Sequence, residues 1–555
     1  MNFDNKRLIL LMALGFVLLL IWQAWQQDYG AQSKLATTAT DNTAPAASPL
    51  PTDVPAALPS AAATKTTPDA PPAATLNALP QGDWVRVKTD VLDLAINTVG
   101  GDLRRLNLLA YPVAADQPEQ PFPLLNDAPD KLFIAQSGLL AGAKGPDHHA
   151  VFIPEQTSYQ LAPGAQELKV RLNWSGPDNI KISKIYTLRR ANYEIKLDYE
   201  IHNGSAQEWR GRVYGQFQRV EEPNPSHFIY TYTGGVLSSP ENKYEKIDFG
   251  DMADKDLSRE VKGGWAAMLQ HYFVGAWIPE ASGSNHYYSK ALDGPRYVFG
   301  VVLPEAVVAP GQTAMLGTRL YAGPKLQDHL QEVAPNLELT VDYGMLTILA
   351  EPIFWLLKYI HNVVNNWGWA IVILTLLIKL AFYRLSAASY RSMANMRRMQ
   401  PRMAALKERY GEDRQKLTQA TMEMYKTEKI NPLGGCLPVL VQIPVFIALY
   451  WVLLESVELR QADFILWIYD LSSKDPYYVL PLLMGATMLI QQKLSPAPPD
   501  PIQAKVMTIL PIVFTLFFAF FPAGLVLYWV VNNTLSIAQQ WYITRKVEAA
   551  ASHKP

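Results

Sequence analysis

The sequence predicts an α-helical polytopic membrane protein of six spans with a large all-β domain on the outer side of the membrane. Three observations predict it. Apolar residues gather in one N-terminal run and again after Tyr343. From about Asp83 to Leu337, short stretches alternate apolar and polar with period two, the pattern of half-buried strands. The polar segments between the C-terminal apolar runs differ in charge, and that difference orients the chain across a bilayer. The net charge of -1 suggests no general affinity for nucleic acid. The single cysteine, Cys436, excludes an intrachain disulfide without fixing the compartment.

The first span follows "MNFDNKR". Leu8 to Gln27 carries no charge, which is long enough to cross a hydrocarbon core of about 30 Å. A cleaved signal peptide is the competing reading. The length of the run and its Trp-rich end "IWQAWQQ" favour an uncleaved anchor with the N-terminus inside. An Ala/Pro/Thr segment follows, as in "TAPAASPLPTDVPAALPSAAATKTTPDAPPAA". It has few large apolar groups to bury and reads as a disordered tether.

Next come the alternating runs "WVRVKTD", "LDLAINT", "LKVRLNW", "IKISKIYTL", "YEIKLDYEI", "RVYGQFQRV", "RYVFGVVL" and "MLGTRLYAG". Strands without intervening helical periodicity point to an antiparallel sandwich. His148, His149, His202, His227, His271 and His286 lie here. No metal spacing, nucleophile elbow or phosphate loop accompanies them, so no enzyme activity, metal or cofactor is expected.

"YGMLTILAEPIFWLLKYIHNVVNNWG" interleaves polar residues at helical intervals and reads as an interfacial amphipathic helix. Trp367 and Trp369 mark the outer boundary of the second span, which ends near Tyr383. Arg384 to Asn431 is a polar helical hairpin broken at "YGED", with Pro401 kinking or restarting its first arm. Its eleven Lys and Arg against five Asp and Glu place it in the cytoplasm. The third span covers about Leu433 to Leu454 and the fourth Tyr477 to Ile490. Val506 to Tyr542 fits two crossings with "FPAG" as the turn between them. The expected organisation is an anchor (1–27), a tether (28–82), a β domain (83–337) and an interfacial helix (338–366). The second span (367–383), the cytoplasmic hairpin (384–431), the third to sixth spans (432–544) and a cytoplasmic tail (545–555) complete it.

Lys379 raises the functional question. Arg384 marks the cytoplasmic interface only about 7.5 Å further along a helix, so snorkelling is the simple account. Against it, Thr375, Lys379 and Tyr383 recur every four residues and share one face. Such a face is poorly suited to lipid. In the last span Tyr528, Asn532, Ser536 and Gln540 form a second stripe, widened by Asn533, Thr534 and Gln539. Gln442 in the third span and Thr508 and Thr515 in the fifth add polar groups. Interhelical glue is the plainer reading of each one alone. Four polar faces and one cation fit a shared wet groove. None of these spans holds an Asp or Glu to pair with Lys379, which argues against a proton pump and suits a transient anionic guest. Met393, Met396, Met399, Met403, Met422 and Met424 concentrate in the hairpin. They suit either a helical core or a surface that accepts many apolar partners.

The motifs "KINPLGGCLPVLVQIPVFIALYWVL", "SVELRQADFILWIYDLSSKDPYYVLPLLMGATM" and "FPAGLVLYWVVNN" closely resemble the YidC/Oxa/Alb family of membrane protein insertases, in its Gram-negative form with a large periplasmic domain. The resemblance implies a periplasmic supersandwich similar to galactose mutarotases and a five-helix insertase core in the bacterial inner membrane. It implies insertion and folding of nascent inner-membrane proteins, alone or with the Sec translocon and its accessory subunits, among membrane lipids. It implies a hydrophilic groove with a positive residue, usually arginine, at the position that Lys379 matches here. Thr375 matches a groove threonine and Trp529 a substrate-contacting aromatic, and the hairpin would receive the substrate. The ribosome is a weaker expected partner, since the tail after Tyr542 is short and mildly basic. Two other readings stay open at this point: a small-anion transporter or channel, and an envelope anchor for a periplasmic ligand-binding β domain.

Overall fold

Alternating burial along the strands builds the N-terminal part of the molecule. In Glu167–Ser175 the residues Val170 and Leu172 are buried while Glu167 and Lys169 are exposed, as a period-two pattern demands. The computed structural model describes residues 79–222, 231–411, 413–427, 437–495 and 501–552. The expected N-terminal anchor, nearly all of the tether, His227 and Cys436 lie outside the described residues. All eight alternating runs contain strands.

The strands form two sheets. The eleven-stranded sheet runs in the order Ser258–Lys262, Ser284–Ala291, Arg296–Val302, Trp209–Val220, Phe133–Leu140, Asp102–Pro112, Leu92–Asn97, Trp84–Lys88 and Ser158–Gln160. Ala306–Val308 and Pro121–Leu125 pair off this path. The nine-stranded sheet runs Glu245–Ile247, Gly234–Ser238, Trp265–Gln270, Phe273–Ile278, Thr313–Pro324, Glu194–Asn203, Ile180–Arg189, Glu167–Ser175 and Ile153–Pro154. Pairing is antiparallel except between Trp84–Lys88 and Ser158–Gln160. Trp209, Trp265 and Trp277 are fully buried in the core. Two of the histidines bond hydroxyls of the same domain: His148 Nδ1 lies 2.6 Å from the Tyr214 hydroxyl, and His202 Nδ1 lies 3.0 Å from that of Thr313.

Two short helices, α1 (Phe249–Asp254) and α2 (Gln327–Val333), belong to this domain and its exit. Helix α3 (Thr347–Val364) follows two 3-10 turns. It buries Ala350, Phe354, Leu357 and Ile360 and exposes Ile348, Trp355, Tyr359 and Val363. The pair "NN" separates α3 from α4 (Trp367–Ala381). Asn365 adopts the left-handed conformation at φ 51°, which ends α3. Asn366 caps α4 by accepting from the Trp369 N–H at 3.0 Å.

Helix α4 meets α5 (Tyr383–Arg398) at a bend of 69°. Helices α6 (Gln400–Tyr410) and α7 (Arg414–Thr427) complete the hairpin, and Pro401 sits in the first turn of α6, so it restarts the arm. The remaining helices are α8 (Leu437–Glu455), α9 (Val479–Leu494), α10 (Pro501–Phe518) and α11 (Ala523–Ser552). The break between α10 and α11 falls at "FPAG". Among the described residues no single helix is long and apolar enough to cross a membrane, and only α4 and α5 together pass by length and composition.

The C-terminal end of α8 meets the β domain at the tip joining Trp265–Gln270 to Phe273–Ile278. There His271 Nε2 lies 3.0 Å from the Leu454 carbonyl, so the neutral ring donates to it. Burial, with Lys325 nearby, holds the His271 pKa down at about 3. An undocked histidine titrates near 6.5. Between these values the undocked form binds more protons, so docking weakens as pH falls from about 6.5 toward 3. His271→Gln keeps a donor without the titration. Protease susceptibility of the loop after Glu455 should rise more steeply in acid for the parent chain than for the variant. Equal acid sensitivity in both proteins would remove His271 from the account.

Candidate functional site

The polar stripe on α11 reaches the site intact because α11 is one unbroken helix, so a four-residue repeat stays on one face. Tyr528, Asn532, Asn533, Ser536 and Gln540 all line a cavity of about 410 Å³ among α4, α5, α8, α9, α10 and α11. From α8 come Gln442, Ile443 and Phe446, and from α9 Met488, Gln491 and Gln492. Gln442 Nε2 donates to Asn532 Oδ1 at 3.0 Å, and Asn533 Nδ2 to Thr487 Oγ1 at 3.4 Å.

Lys379 projects from the last turn of α4 into this cavity and is only 8% exposed. Its Nζ donates to Ser536 Oγ at 2.8 Å, and Ser536 Oγ donates in turn to the Asn532 carbonyl at 2.7 Å. Among the described residues Lys379 has no carboxylate within ion-pair distance. A cation held by a neutral hydroxyl, beside amide side chains, keeps most of its attraction for an incoming anion. Trp529 also lines the cavity and meets Phe446 edge-on, with ring centroids 4.8 Å apart. Its indole N–H is buried with no hydrogen-bond partner among the described residues. The cavity therefore offers a cation, donors and acceptors against an apolar wall formed by Ile443, Phe446, Met488, Met507 and Leu510.

Six of the ten groove residues named from the sequence line this cavity: Lys379, Gln442, Tyr528, Trp529, Asn532 and Ser536. The other four do not, each for a local reason. Thr375 is buried, and its hydroxyl turns back to the Ile371 carbonyl at 2.6 Å. Tyr383 would share the face of Thr375 and Lys379 on a straight helix, but the 69° bend carries it away and leaves it 43% exposed. Thr508 is exposed and does not line the cavity, while Met507 and Leu510 of the same helix do. Thr515 bonds the Pro511 carbonyl at 2.7 Å and packs against Gly485, where a Cβ would lie 2.1 Å from its hydroxyl.

Ser386, Ser389, Tyr390, Gln491 and Gln492 line the cavity without having been named. Ser386, Ser389 and Tyr390 recur at i, i+3 and i+4, a helical-face signal hidden by assigning "RLSAASY" wholly to the hairpin. Of the six hairpin methionines Met393 lines the cavity and Met399 is buried. Met403 accepts from the Tyr425 hydroxyl at 3.4 Å. Met396, Met422 and Met424 are half-buried.

Two family models match the chain: "YidC periplasmic domain" over residues 84–356 and "60Kd inner membrane protein" over residues 359–550. A protein of Nitrosococcus oceani named membrane protein insertase YidC is 52% identical, over 98% of this chain and 99% of its own length. The protein of the same name from Methylobacillus flagellatus is 53% identical, over 99% of both chains. A crystal structure of a YidC insertase with its first transmembrane domain resolved aligns with a TM-score of 0.40 and 18% identity, over 84% of this chain and 93% of that one.

Proposed function

The chain belongs to the YidC family of membrane protein insertases, and from that premise we propose that it passes polar tails of nascent inner-membrane proteins through the Lys379 cavity. The observation that carries this reading is a nearly buried ammonium with a hydroxyl partner and no carboxylate among the described residues. A carboxylate of the incoming tail at 4 Å would gain roughly 4 kcal/mol before desolvation, at an effective dielectric of 20. Polar groups of α8, α9 and α11 satisfy backbone that lipid could not. The membrane potential then favours outward movement of a negative tail by about 2.3 kcal/mol per charge per 100 mV. The apolar segment leaves sideways into lipid.

In this reading the chain crosses the inner membrane six times, with both termini in the cytoplasm and the two-sheet domain, a supersandwich, in the periplasm. Helix α3 lies at the outer interface on its exposed Ile348, Trp355, Tyr359 and Val363. The hairpin α5–α7 meets the substrate first, and Met393 joins it to the cavity. No bond is made or broken, so no catalytic residue is assigned. The Sec translocon is the proposed partner for larger clients. Full-length relatives named as insertases do not favour an anion transporter or a ligand-binding anchor.

A photoreactive side chain at Trp529 should crosslink to a ribosome-stalled nascent chain, and the same probe at Thr508, which does not line the cavity, should not. Equal labelling from both positions, or none from Trp529, would overturn the groove as the substrate path.

A further inference from the structure

We infer that Lys325 and Glu455 are positioning residues for insertion, a clamp by which the β domain sets the tilt of the groove helix α8; this rests on the groove reading above. Lys325 Nζ donates to Glu455 Oε2 at 3.2 Å and to the Thr340 carbonyl at 3.1 Å. Both side chains are almost completely buried, at 3% and 6% exposure.

The cation cannot wander. Lys325 follows the last strand of the sandwich, and its own N–H donates to the Tyr272 carbonyl at 2.9 Å. The anion ends α8, where a nearby cation also meets the partial negative charge of the last helical carbonyls. The pair therefore joins the end of the central strand of the nine-stranded sheet, held by neighbours on both sides, to the end of a groove helix.

The lever is short and direct. Phe446 lies nine residues before Glu455, about 13.5 Å along a helix. A tilt of about 10° at the clamp would move Phe446 by about 2.3 Å on that geometry. Phe446 forms the cavity wall against Tyr528 and Trp529, with centroids at 5.8 and 4.8 Å, so such a shift changes the cavity. Packing alone does not require a buried ion pair, since apolar residues of similar volume commonly hold a fold as well. An ion pair with a second bond to Thr340 restricts direction as well as distance.

The test uses the full chain in lipid nanodiscs, with Cys436 replaced by Ser and spin labels at the exposed Val441 of α8 and Thr534 of α11. The parent chain should give one narrow interspin distance distribution. Lys325→Met and Glu455→Gln should broaden or shift it, and insertion of a tail-translocating substrate should fall about ten-fold. Lys325→Arg, which keeps the charge, should retain the narrow distribution and insertion within about two-fold. An unchanged distribution with full insertion in Lys325→Met overturns the proposal. If the single variants do not accumulate, Lys325→Met/Glu455→Met decides. Normal abundance with a broadened distribution supports positioning. An unchanged distribution overturns it, as does failure to accumulate, because the ion pair would then serve stability rather than positioning. The distance is read without substrate, so failure here leaves the groove to its own crosslinking test.

Discussion

Lys379→Glu is expected to lower insertion of acidic-tailed substrates by at least about a hundred-fold, while Lys379→Arg stays within a few-fold. The substitution exchanges attraction for repulsion. Each is worth roughly 4 kcal/mol at 4 Å and an effective dielectric of 20, so the swing is roughly 8 kcal/mol before desolvation. Survival of about 3 kcal/mol of it suffices for a hundred-fold. The site cannot dilute the effect by exposing the new carboxylate, because residue 379 is only 8% exposed and faces Ser536, Asn532 and Gln540 around the cavity. Arginine keeps the charge and adds donors in a planar fork. The measurement is the insertion rate of paired substrates that differ only in the charge of the translocated tail. Neutral-tailed substrates should lose much less than acidic ones. Equal loss for both would reduce Lys379 to a structural donor for Ser536, and no loss for either would remove it from the mechanism.

Replacing Gly264 by Val should destabilise the β domain by about 3–5 kcal/mol, summing left-handed strain and overpacking. Gly264 has φ +77° and opens the strand Trp265–Gln270. A β-branched residue there is strained whatever the space. Space is also lacking, since a Cβ would sit 2.2 Å from the Ser238 carbonyl oxygen, which is backbone of the neighbouring strand. Relief requires parting the strands that carry the buried Trp265 and lead to the His271 tip. For a domain with a typical margin of 5–15 kcal/mol, that loss populates the open form markedly. Limited proteolysis of the full chain in membranes should then cut the β domain at lower temperature than in the parent, with a Gly264→Ala variant between the two. A Val variant as resistant as the parent would show that the strand pair yields without cost.

The two proteins compared in the first experiment rely on a feature legible from residues alone, since a lysine within an apolar run, with Asn, Ser and Gln every four residues on another helix, identifies facing polar surfaces. The β domain is legible for the same reason: period-two alternation depends only on the geometry of a strand. Asn365 and Asn366 likewise announce a helix end and a new cap through their own backbone chemistry. These are local properties, and a local pattern carries them.

Long-range geometry is a different matter. The exclusion of Tyr383 from the cavity follows from a bend at Phe382, and that of Thr515 from its close packing on Gly485. Ser386 and Tyr390 enter the cavity because α5 folds back beside α11. Lys325 and Glu455 are 130 positions apart, and neither stands out from the other charged residues until the strand end meets the helix end. Periodicity shows which side of a helix is polar; which polar sides face one another is set by helix breaks, crossing points and domain docking, all of which depend on contacts between distant parts of the chain.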